Sequence, residues 1–442
     1  MSVNSPPKIW LVIFDPTLKS LDGHSHNYDL AVADGAKELF DRVVIFAHQS
    51  FHERAMPGFT LKRISDPPLM RVLRSAVARG APPTNTAALP NSAAASMPRP
   101  IQRLWKTLRA RGLASSLKRA LRQLEIAPSD RIHILVQQAD LYEIAGVDAF
   151  RAHHRGKQVT FHLVLRHDPE ITRANQEQVD VFRARLLRLA CAMTPIVRFH
   201  TDSEAIAQAY HALTAGKMQV ANLPIPISRK AAPRVRSRTQ EPANLVRISV
   251  LGSSRMERGF GTLEMLIPRF PAYFGPAKVH LAVQINRQSL DPNVLGVIRW
   301  LDAHSRLEQD NGPVVELLEG PVSEDVYFSW LARADVLIAP YISKKYVCST
   351  SGVFVEALYC GIPSVVMQGT WAAGVIKDAS LRGLEIGEVA DSVAAIPERV
   401  GALAARLPYY GANVRLYLED WKRKYSASIA ELLLAGGASS IG

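Results

Sequence analysis

Ser349 to Trp371, STSGVFVEALYCGIPSVVMQGTW, puts small hydroxyl residues, a glycine, a carboxylate and a helix stop into one short run. A turn of Ser349, Thr350, Ser351 and Gly352 lets the backbone pass close to a ligand. A helix starting at about Val353 would aim its unsatisfied N–H groups and the positive end of its dipole at the same place. That arrangement suits an anion. Glu356, expected on the first turn, would accept hydrogen bonds from sugar hydroxyls beside it. Gly361 and Pro363 stop the helix, and Ser364 to Met367 reads as the next strand.

Two further groups bear chemistry. GSSRMERGFG, residues 252 to 261, is a glycine-rich turn carrying Arg255 and Arg258, and guanidinium forks beside a helix N-terminus would neutralise a diphosphate. Arg166, His167 and Asp168 follow the apolar run Gln158 to Leu165. Open α/β sheets place ligand contacts at the carboxyl ends of their strands, although a lone histidine also serves as a hydrogen-bonded structural residue. Thr201 to Glu204 offers Asp202 or Ser203 as a cap for a helix from Ala205 to Leu213. No Asp-x-Asp metal motif occurs, so arginines and a helix dipole would have to do a divalent ion's work. Cys191, Cys348 and Cys360 are too few and too scattered for a disulfide framework or a zinc site, which makes a reducing, cytoplasmic location the expectation.

The elements that must position these residues read as two βα arrays. In the first, Lys8 to Asp15, Arg42 to Ala47, Arg131 to Val136, Gln158 to Leu165 and Val197 to His200 are apolar strand runs, with a helix from Tyr28 to Phe40. Gly23 lies in the loop after the first strand. Ile9 to Phe14 is far short of the ~20 residues that span a bilayer, so it is read as that strand. Residues 227 to 244, polar, basic and proline-bearing, are a linker. The pattern then restarts with strands at Val246 to Leu251, Val279 to Val283, Val314 to Leu318, Val336 to Ala339 and Ser364 to Met367, and a helix from Thr262 that ends before Pro268. The predicted division is an N-terminal domain over 1–226, a linker, a second domain over 245–410 and a C-terminal helix over 411–442 crossing back to the first.

At 442 residues and 48% hydrophobic the chain can bury two cores. Of its formal net charge of +13, +11 falls between Arg71 and Leu124, where no acidic residue occurs. Residues 80 to 100 are proline-rich and read as a loop. Ile101 to Leu124 reads as a basic amphipathic helix pair broken near Gly112, with Ile101, Leu104 and Leu108, then Leu117, Leu121 and Leu124, as its apolar stripe. That stripe either packs on the domain or lies on an anionic membrane surface. A basic total can also mean nucleic acid, but charge confined to one insertion fits an interaction arm or a solvated surface better.

GSSRMERG, LEGPVSED, APYISKKYVCSTSGVFVEALYCGIPSVV and the closing TW resemble the donor-binding half of a GT-B glycosyltransferase of the large retaining group often called family 4. LDGHSHNY, LVLRHDPE, HTDSEAIAQAY and LPIPI are similar to the acceptor-side half of a bacterial subgroup. Only the basic insertion and the linker fall outside. The resemblance implies an α/β fold of GT-B type, with two Rossmann-like doubly wound domains facing each other across a cleft. It implies transfer of a hexose-type sugar from a nucleotide-diphosphate sugar of UDP or GDP type to a glycan, lipid-linked or other acceptor, with retention and with no metal or other cofactor. Surface polysaccharide or glycoconjugate synthesis on the inner face of the membrane would be its setting.

By the same resemblance, Arg255 and Arg258 contact the diphosphate, Ser351, Gly352 and Val353 supply backbone phosphate contacts, and Glu356 takes the ribose. Leu318 to Val322, with Gly320 and Val322, matches the base-binding loop, and Gly23 the loop that approaches the phosphate from the other domain. The family's functional histidine falls on or beside His167, with Arg166 and Asp168 as neighbours. The chain departs from the pattern at Cys348, where related families carry a first glutamate eight residues before the second. A thiol offers neither the charge nor the paired acceptors of a carboxylate. Either Ser349, Thr350 and backbone recognise the sugar instead, or turnover is impaired. Arg258 replaces the usual lysine, and Arg255 stands three rather than five residues before it. The competing readings are a nucleotide-sugar epimerase or sugar phosphorylase on the same fold, which donor alone would reveal, and a non-catalytic membrane- or nucleic-acid-binding protein built on residues 71 to 124.

Overall fold

The computed structural model describes residues 6–16, 18, 24–51, 59–64, 99–152, 158–169, 176–192, 196–223, 225, 245–274, 278–305, 312–320, 322–342 and 345–426. Gly23, the proline-rich part of the insertion, the linker and the chain beyond Ser426 lie outside the described residues. The chain divides into two compact units, the first containing Met1–Leu21 and Tyr28–Pro224, the second Asp22–Asn27 and Ile225–Ser428.

The first unit is an all-parallel seven-stranded sheet. Its elements are β1 (Ile9–Phe14), α1 (His24–Ala36), β2 (Arg42–His48), β3 (Thr60–Ile64), α2 (Arg99–Arg122), β4 (Arg131–Val136), α3 (Leu141–Arg151), β5 (Gln158–Val164), α4 (Gln176–Ala190), β6 (Ile196–Thr201), α5 (Glu204–Leu213) and β7 (Val220–Asn222). Strand order is β3-β2-β1-β4-β5-β6-β7, so the chain reverses its direction of travel between β1 and β4. The central strands are near-continuous apolar runs because both faces are covered. Leu11, Ile13, Ile45, Leu135 and Val164 form one core cluster with Tyr28, Val32, Ala33 and Ala36 of α1. Ser203 caps α5, its hydroxyl accepting from the Ile206 N–H.

Two features of this unit differ from the sequence-based expectation. The basic helix α2 is one helix of 24 residues, not a pair broken at Gly112. A single glycine costs a helix about 1 kcal/mol, and packing outweighs it. Gly146 of α3 lets α2 come so close that a β-carbon there would stand 2.3 Å from Leu113 Cδ2, and Leu117, Leu121 and Leu124 are buried. The second half of the apolar stripe therefore packs on the domain. β3, TLKRI, was not legible as a strand: it is an edge strand whose residues are mostly half-exposed.

A buried histidine ladder crosses the same sheet. His133 Nδ1 lies 3.0 Å from His162 Nε2, and His162 Nδ1 lies 3.0 Å from His200 Nε2. Burial, then the neighbouring His200, pushes His162 well below the usual imidazole range, and burial pushes His200 down to about 4.

The second unit is an all-parallel six-stranded sheet ordered β10-β9-β8-β11-β12-β13. It runs β8 (Leu245–Val250), β9 (Lys278–Ile285), α6 (Pro292–Ser305), β10 (Val314–Glu319), α7 (Glu324–Ala332), β11 (Val336–Ala339), α8 (Gly352–Tyr359), β12 (Ser364–Met367), α9 (Trp371–Leu381), β13 (Gly387–Ala390), α10 (Ile396–Ala404) and α11 (Leu407–Ser426). Between β8 and β9 the chain makes short helical turns from Met256 to Phe274 in place of the single helix expected from Thr262. Pro268 lies inside one of those turns. Both faces of the sheet are covered: α6 and α10 join one cluster, and α7 with Val353 and Ala357 of α8 joins another. The far side of α8, through Phe354, Val355 and Leu358, packs with Val414 and Tyr417 of α11. Among the described residues no helix is long and apolar enough to cross a membrane.

Candidate functional site

In the second sheet the chain leaves β8 to one side and returns on the other at β11. The carboxyl ends of those two strands thus flank the place where an open α/β sheet leaves a ligand crevice. Four segments arrive there: the glycine turn after β8, the loop after β11, the start of α8, and the end of β9.

α8 begins where its cap directs. Ser351 is extended, and its hydroxyl accepts from the Phe354 N–H at 3.2 Å, while the Ser351 carbonyl accepts from Val355. The N–H groups of Gly352 and Val353 stay outside the helical ladder, as the first donors of any helix do. At the other end Gly361, at φ +75°, donates to the Leu358 carbonyl, and Ile362 donates to Ala357 at 2.9 Å. This is a Schellman stop, which needs the left-handed residue that glycine provides. All six residues from Val353 to Leu358 are buried, so packing rather than helix propensity holds the segment. Glu356 sits fifth in α8, on the second turn and not the first. It is only 7% exposed, and Tyr327 of α7 donates its hydroxyl to Glu356 Oε2 at 2.6 Å. Burial, and then the carboxylate, pushes the Tyr327 phenol well above its usual range, which keeps it a donor.

Arg258 is the best-placed cation. A β-carbon on Gly252 would stand 2.7 Å from Arg258 Nη1 and 3.1 Å from Val353 Cγ2. The guanidinium therefore lies over the end of β8 and beside the start of α8. Its Nε donates to the Tyr346 hydroxyl at 3.1 Å, and its centre lies 5.9 Å from the Tyr341 ring. Tyr341 and Tyr346 pack with ring centroids 4.3 Å apart, and the Tyr341 hydroxyl is 3.1 Å from Ser351 Oγ. This leaves Arg258 Nη1 buried without a hydrogen-bond partner among the described residues. Gly259 makes the placement possible: it sits at φ +75°, and a β-carbon there would come within 1.9 Å of the Pro340 carbonyl oxygen. Arg255 is more exposed, with Nη1 3.9 Å from Glu257 Oε1.

Gly320 follows β10, its N–H donating to the Ile285 carbonyl at 2.8 Å. Val322 packs against the cluster that holds Leu251, Phe328 and Val353. Arg258, Ser351, Gly352, Val353 and Glu356 thus come together at the β8/β11 switch, with Gly320 and Val322 on the β10 side. Cys348 closes a short turn, Lys345–Cys348, and is not in a disulfide. Among the described residues no group of three or more His, Cys, Asp or Glu is arranged to hold a metal ion.

Of the four remaining expected site residues, Gly23 is outside the described residues and Arg166, His167 and Asp168 lie in the first unit. Arg166 donates from Nε to the Gln137 carbonyl at 2.9 Å, lies 4.2 Å over the Tyr28 ring and is 4.0 Å from Asp202 Oδ2. That guanidinium is a brace among the ends of β4, β5 and β6. Beside it, Gln137 donates to Asp15 Oδ2 at 2.5 Å. Burial, and then the charge of Asp15, raises the carboxyl of fully buried Asp29 well above the usual range. Burial likewise pushes Tyr28 up to about 12. His167 and Asp168 are half-exposed at the same sheet edge, with His167 Nε2 3.3 Å from the Gln138 amide nitrogen.

No protein-family model matches the sequence, and neither does any curated protein sequence. Solved structures do match in shape. The trehalose-6-phosphate synthase OtsA superposes with a TM-score of 0.63 at 13% identity, covering 96% of this chain and 98% of its own. A UDP-forming α,α-trehalose-phosphate synthase from Burkholderia xenovorans gives 0.62 at 13% identity, with 98% and 100% covered. HepE from Anabaena, in complex with UDP, gives 0.56 at 12% identity, with 97% and 98% covered. The fold is GT-B. What these structures share with the chain is that architecture: two Rossmann-like units, each with a parallel sheet and flanking helices. The GT-B likeness extends over almost the full length of both partners, as the family-level reading of the sequence expects.

Tyr327, Tyr341, Tyr346 and Gln284 were missed by sequence reasoning. Tyr341 and Tyr346 lie inside the quoted APYISKKYVC stretch, so position was a signal. Tyr327 and Gln284 carried none, because each meets its partner across about thirty residues of chain.

Proposed function

We propose that the chain is a glycosyltransferase whose second unit binds a nucleotide-diphosphate sugar. The observation that carries this reading is Arg258 Nη1, a buried cationic donor without a hydrogen-bond partner among the described residues, set beside the first N–H groups of α8 at the β8/β11 switch. An anion supplies what that donor lacks, and a diphosphate matches the guanidinium and the helix end together. Glu356, held by Tyr327, is the acceptor group for ribose hydroxyls. Gly320 and Val322 line the base side, and Arg255 adds charge from the rim. Gly23, which the sequence resemblance assigns to a phosphate-approaching loop, is proposed as a further phosphate contact.

In the proposed reaction the bond from the sugar's anomeric carbon to the diphosphate oxygen breaks. A bond from that carbon to an acceptor hydroxyl forms, and the hydroxyl proton is released. Negative charge grows on the departing diphosphate. Arg258 and the Gly352 and Val353 N–H groups meet that charge, so they favour the transition state beyond the bound donor. Positive character grows at the anomeric carbon. His167 and Asp168 are proposed as catalytic groups of the acceptor-side unit, with Arg166 holding their strand ends in place.

The UDP-forming synthase and the UDP complex among the similar structures favour a UDP-type donor and a hexose. A glycan or lipid-linked acceptor, retention, independence of metal and a role in surface polysaccharide synthesis complete the proposal. Association with an anionic membrane surface would be electrostatic. Leu117, Leu121 and Leu124 are buried while Arg111 and Arg122 are exposed.

The test is calorimetric titration with UDP and GDP, followed by mass measurement of products from a panel of nucleotide sugars. UDP is expected to bind, and Arg258→Met to weaken it by about tenfold or more, the worth of one charged hydrogen bond. No heat from any nucleoside diphosphate with the wild-type protein would refute the reading.

A further inference from the structure

Gln284 stands second from last in β9, at the sheet edge where the glycine turn after β8 and the loop after β10 meet. Three contacts define it. Its Oε1 accepts the Gly252 N–H at 2.8 Å, and its own carbonyl accepts the Ser254 hydroxyl at 3.1 Å. Its Nε2 lies against Gly320, 3.0 Å from where a β-carbon on that glycine would be. The orientation of an amide side chain is ordinarily ambiguous, because its oxygen and nitrogen look alike. Here the backbone settles it. Gly252 N–H can only donate, so the atom facing it must be the oxygen, and the NH₂ must face Gly320.

Gln284 therefore presents a pair of N–H donors of fixed direction. No hydrogen bond from Nε2 occurs among the described residues, and the residue is only half-buried. Gly320 contributes no side chain there and is itself fixed through its bond to Ile285. The result is a donor beside the loop assigned to the base, one strand away from the switch where the diphosphate is placed.

We infer that Gln284 reads the nucleobase, accepting donors with a keto oxygen on the hydrogen-bonding edge and rejecting those with an amino group there. This rests on the donor-site reading above. Uracil offers O4 and guanine O6 as acceptors, whereas cytosine and adenine present N–H₂ at the corresponding positions. Against Nε2 an amino group would set donor against donor and leave both without partners, which costs more than a missing contact. The selectivity comes from one side chain whose other end is already committed to Gly252.

The experiment measures binding of UDP, GDP, CDP and ADP to the full chain by isothermal titration, for wild type, Gln284→Glu and Gln284→Leu. Wild type is expected to bind UDP and GDP at least about tenfold tighter than CDP and ADP. Gln284→Glu keeps an acceptor for the Gly252 N–H but turns an acceptor toward the base, so the UDP-to-CDP preference should reverse. Gln284→Leu should bring that ratio close to one. Wild type binding CDP as tightly as UDP overturns the inference without any variant having to fold. So does an unchanged UDP-to-CDP ratio in either variant, or an equal loss for all four nucleotides, which would place Gln284 at the ribose or phosphates. If wild type binds none of the four, the donor-site reading itself fails and takes this inference with it.

Discussion

Replacing Tyr327 by Phe removes one hydroxyl and nothing else, and that hydroxyl is the donor to Glu356 Oε2 at 2.6 Å. Glu356 is nearly inaccessible to water, so the oxygen that loses its donor cannot be resolvated at little cost. A hydrogen bond to a charged group contributes about 1.5–3 kcal/mol. Tyr327→Phe should therefore lower the unfolding free energy by that much. The cost should nearly vanish in a Glu356→Met background, where no carboxylate needs the bond. Urea unfolding of wild type, both single variants and the double variant gives the coupling energy directly. On the functional side, calorimetric titration with UDP should show weaker binding in Tyr327→Phe only while Glu356 is present, since the phenol acts by fixing the carboxylate. A coupling below about 0.5 kcal/mol, the usual error of additivity, would refute the claim that Tyr327 positions Glu356.

Gly259→Ala puts a methyl group within 1.9 Å of the Pro340 carbonyl at a left-handed φ. It should destabilise the second unit by at least about 1 kcal/mol and weaken UDP binding by displacing Arg258; an unchanged urea midpoint would count against this account of the turn. The histidine ladder predicts acid sensitivity. His200 has its folded pKa lowered to about 4 against an ordinary 6.5, so its contribution is complete above pH 6.5 and is lost as pH falls from there toward 4. Melting temperatures between pH 7 and 4.5 should fall more steeply in wild type than in His200→Asn, and parallel curves would remove His200 as the cause. Asp29 has the opposite sign. Its folded pKa is raised by burial and by Asp15, so it supports the fold only at low pH and opposes it at pH 7. Asp29→Asn should melt higher than wild type at pH 7, with the gap closing toward pH 4, and a lower melting temperature at pH 7 would contradict the raised pKa.

The sequence by itself determined much of the architecture. Apolar runs such as IWLVIF, RIHILV and VLIA are strands buried on both faces, and such runs are visible because burial on both faces demands unbroken hydrophobicity. The stop after α8 was equally legible, since Gly361 and Pro363 leave the backbone few alternatives. Two of the edge strands were not: TLKRI and GEVA lack that continuous pattern because one side of each meets solvent or a ladder end. α2 runs through Gly112 because Leu113 docks against Gly146, a contact between residues far apart in sequence.

The site divides the same way. Ser351, Gly352, Val353 and Glu356 are close in sequence, so their grouping follows from local helix geometry. Arg258 meets Tyr346 across 88 residues, Gly252 meets Gln284 across 32 and Tyr327 meets Glu356 across 29. Those meetings depend on strand order. A chain that travels one way from β8 and returns at β11 brings the Gly252 turn and the start of α8 to the same edge, and only the folded sheet decides which side chains there are already satisfied and which still need a ligand.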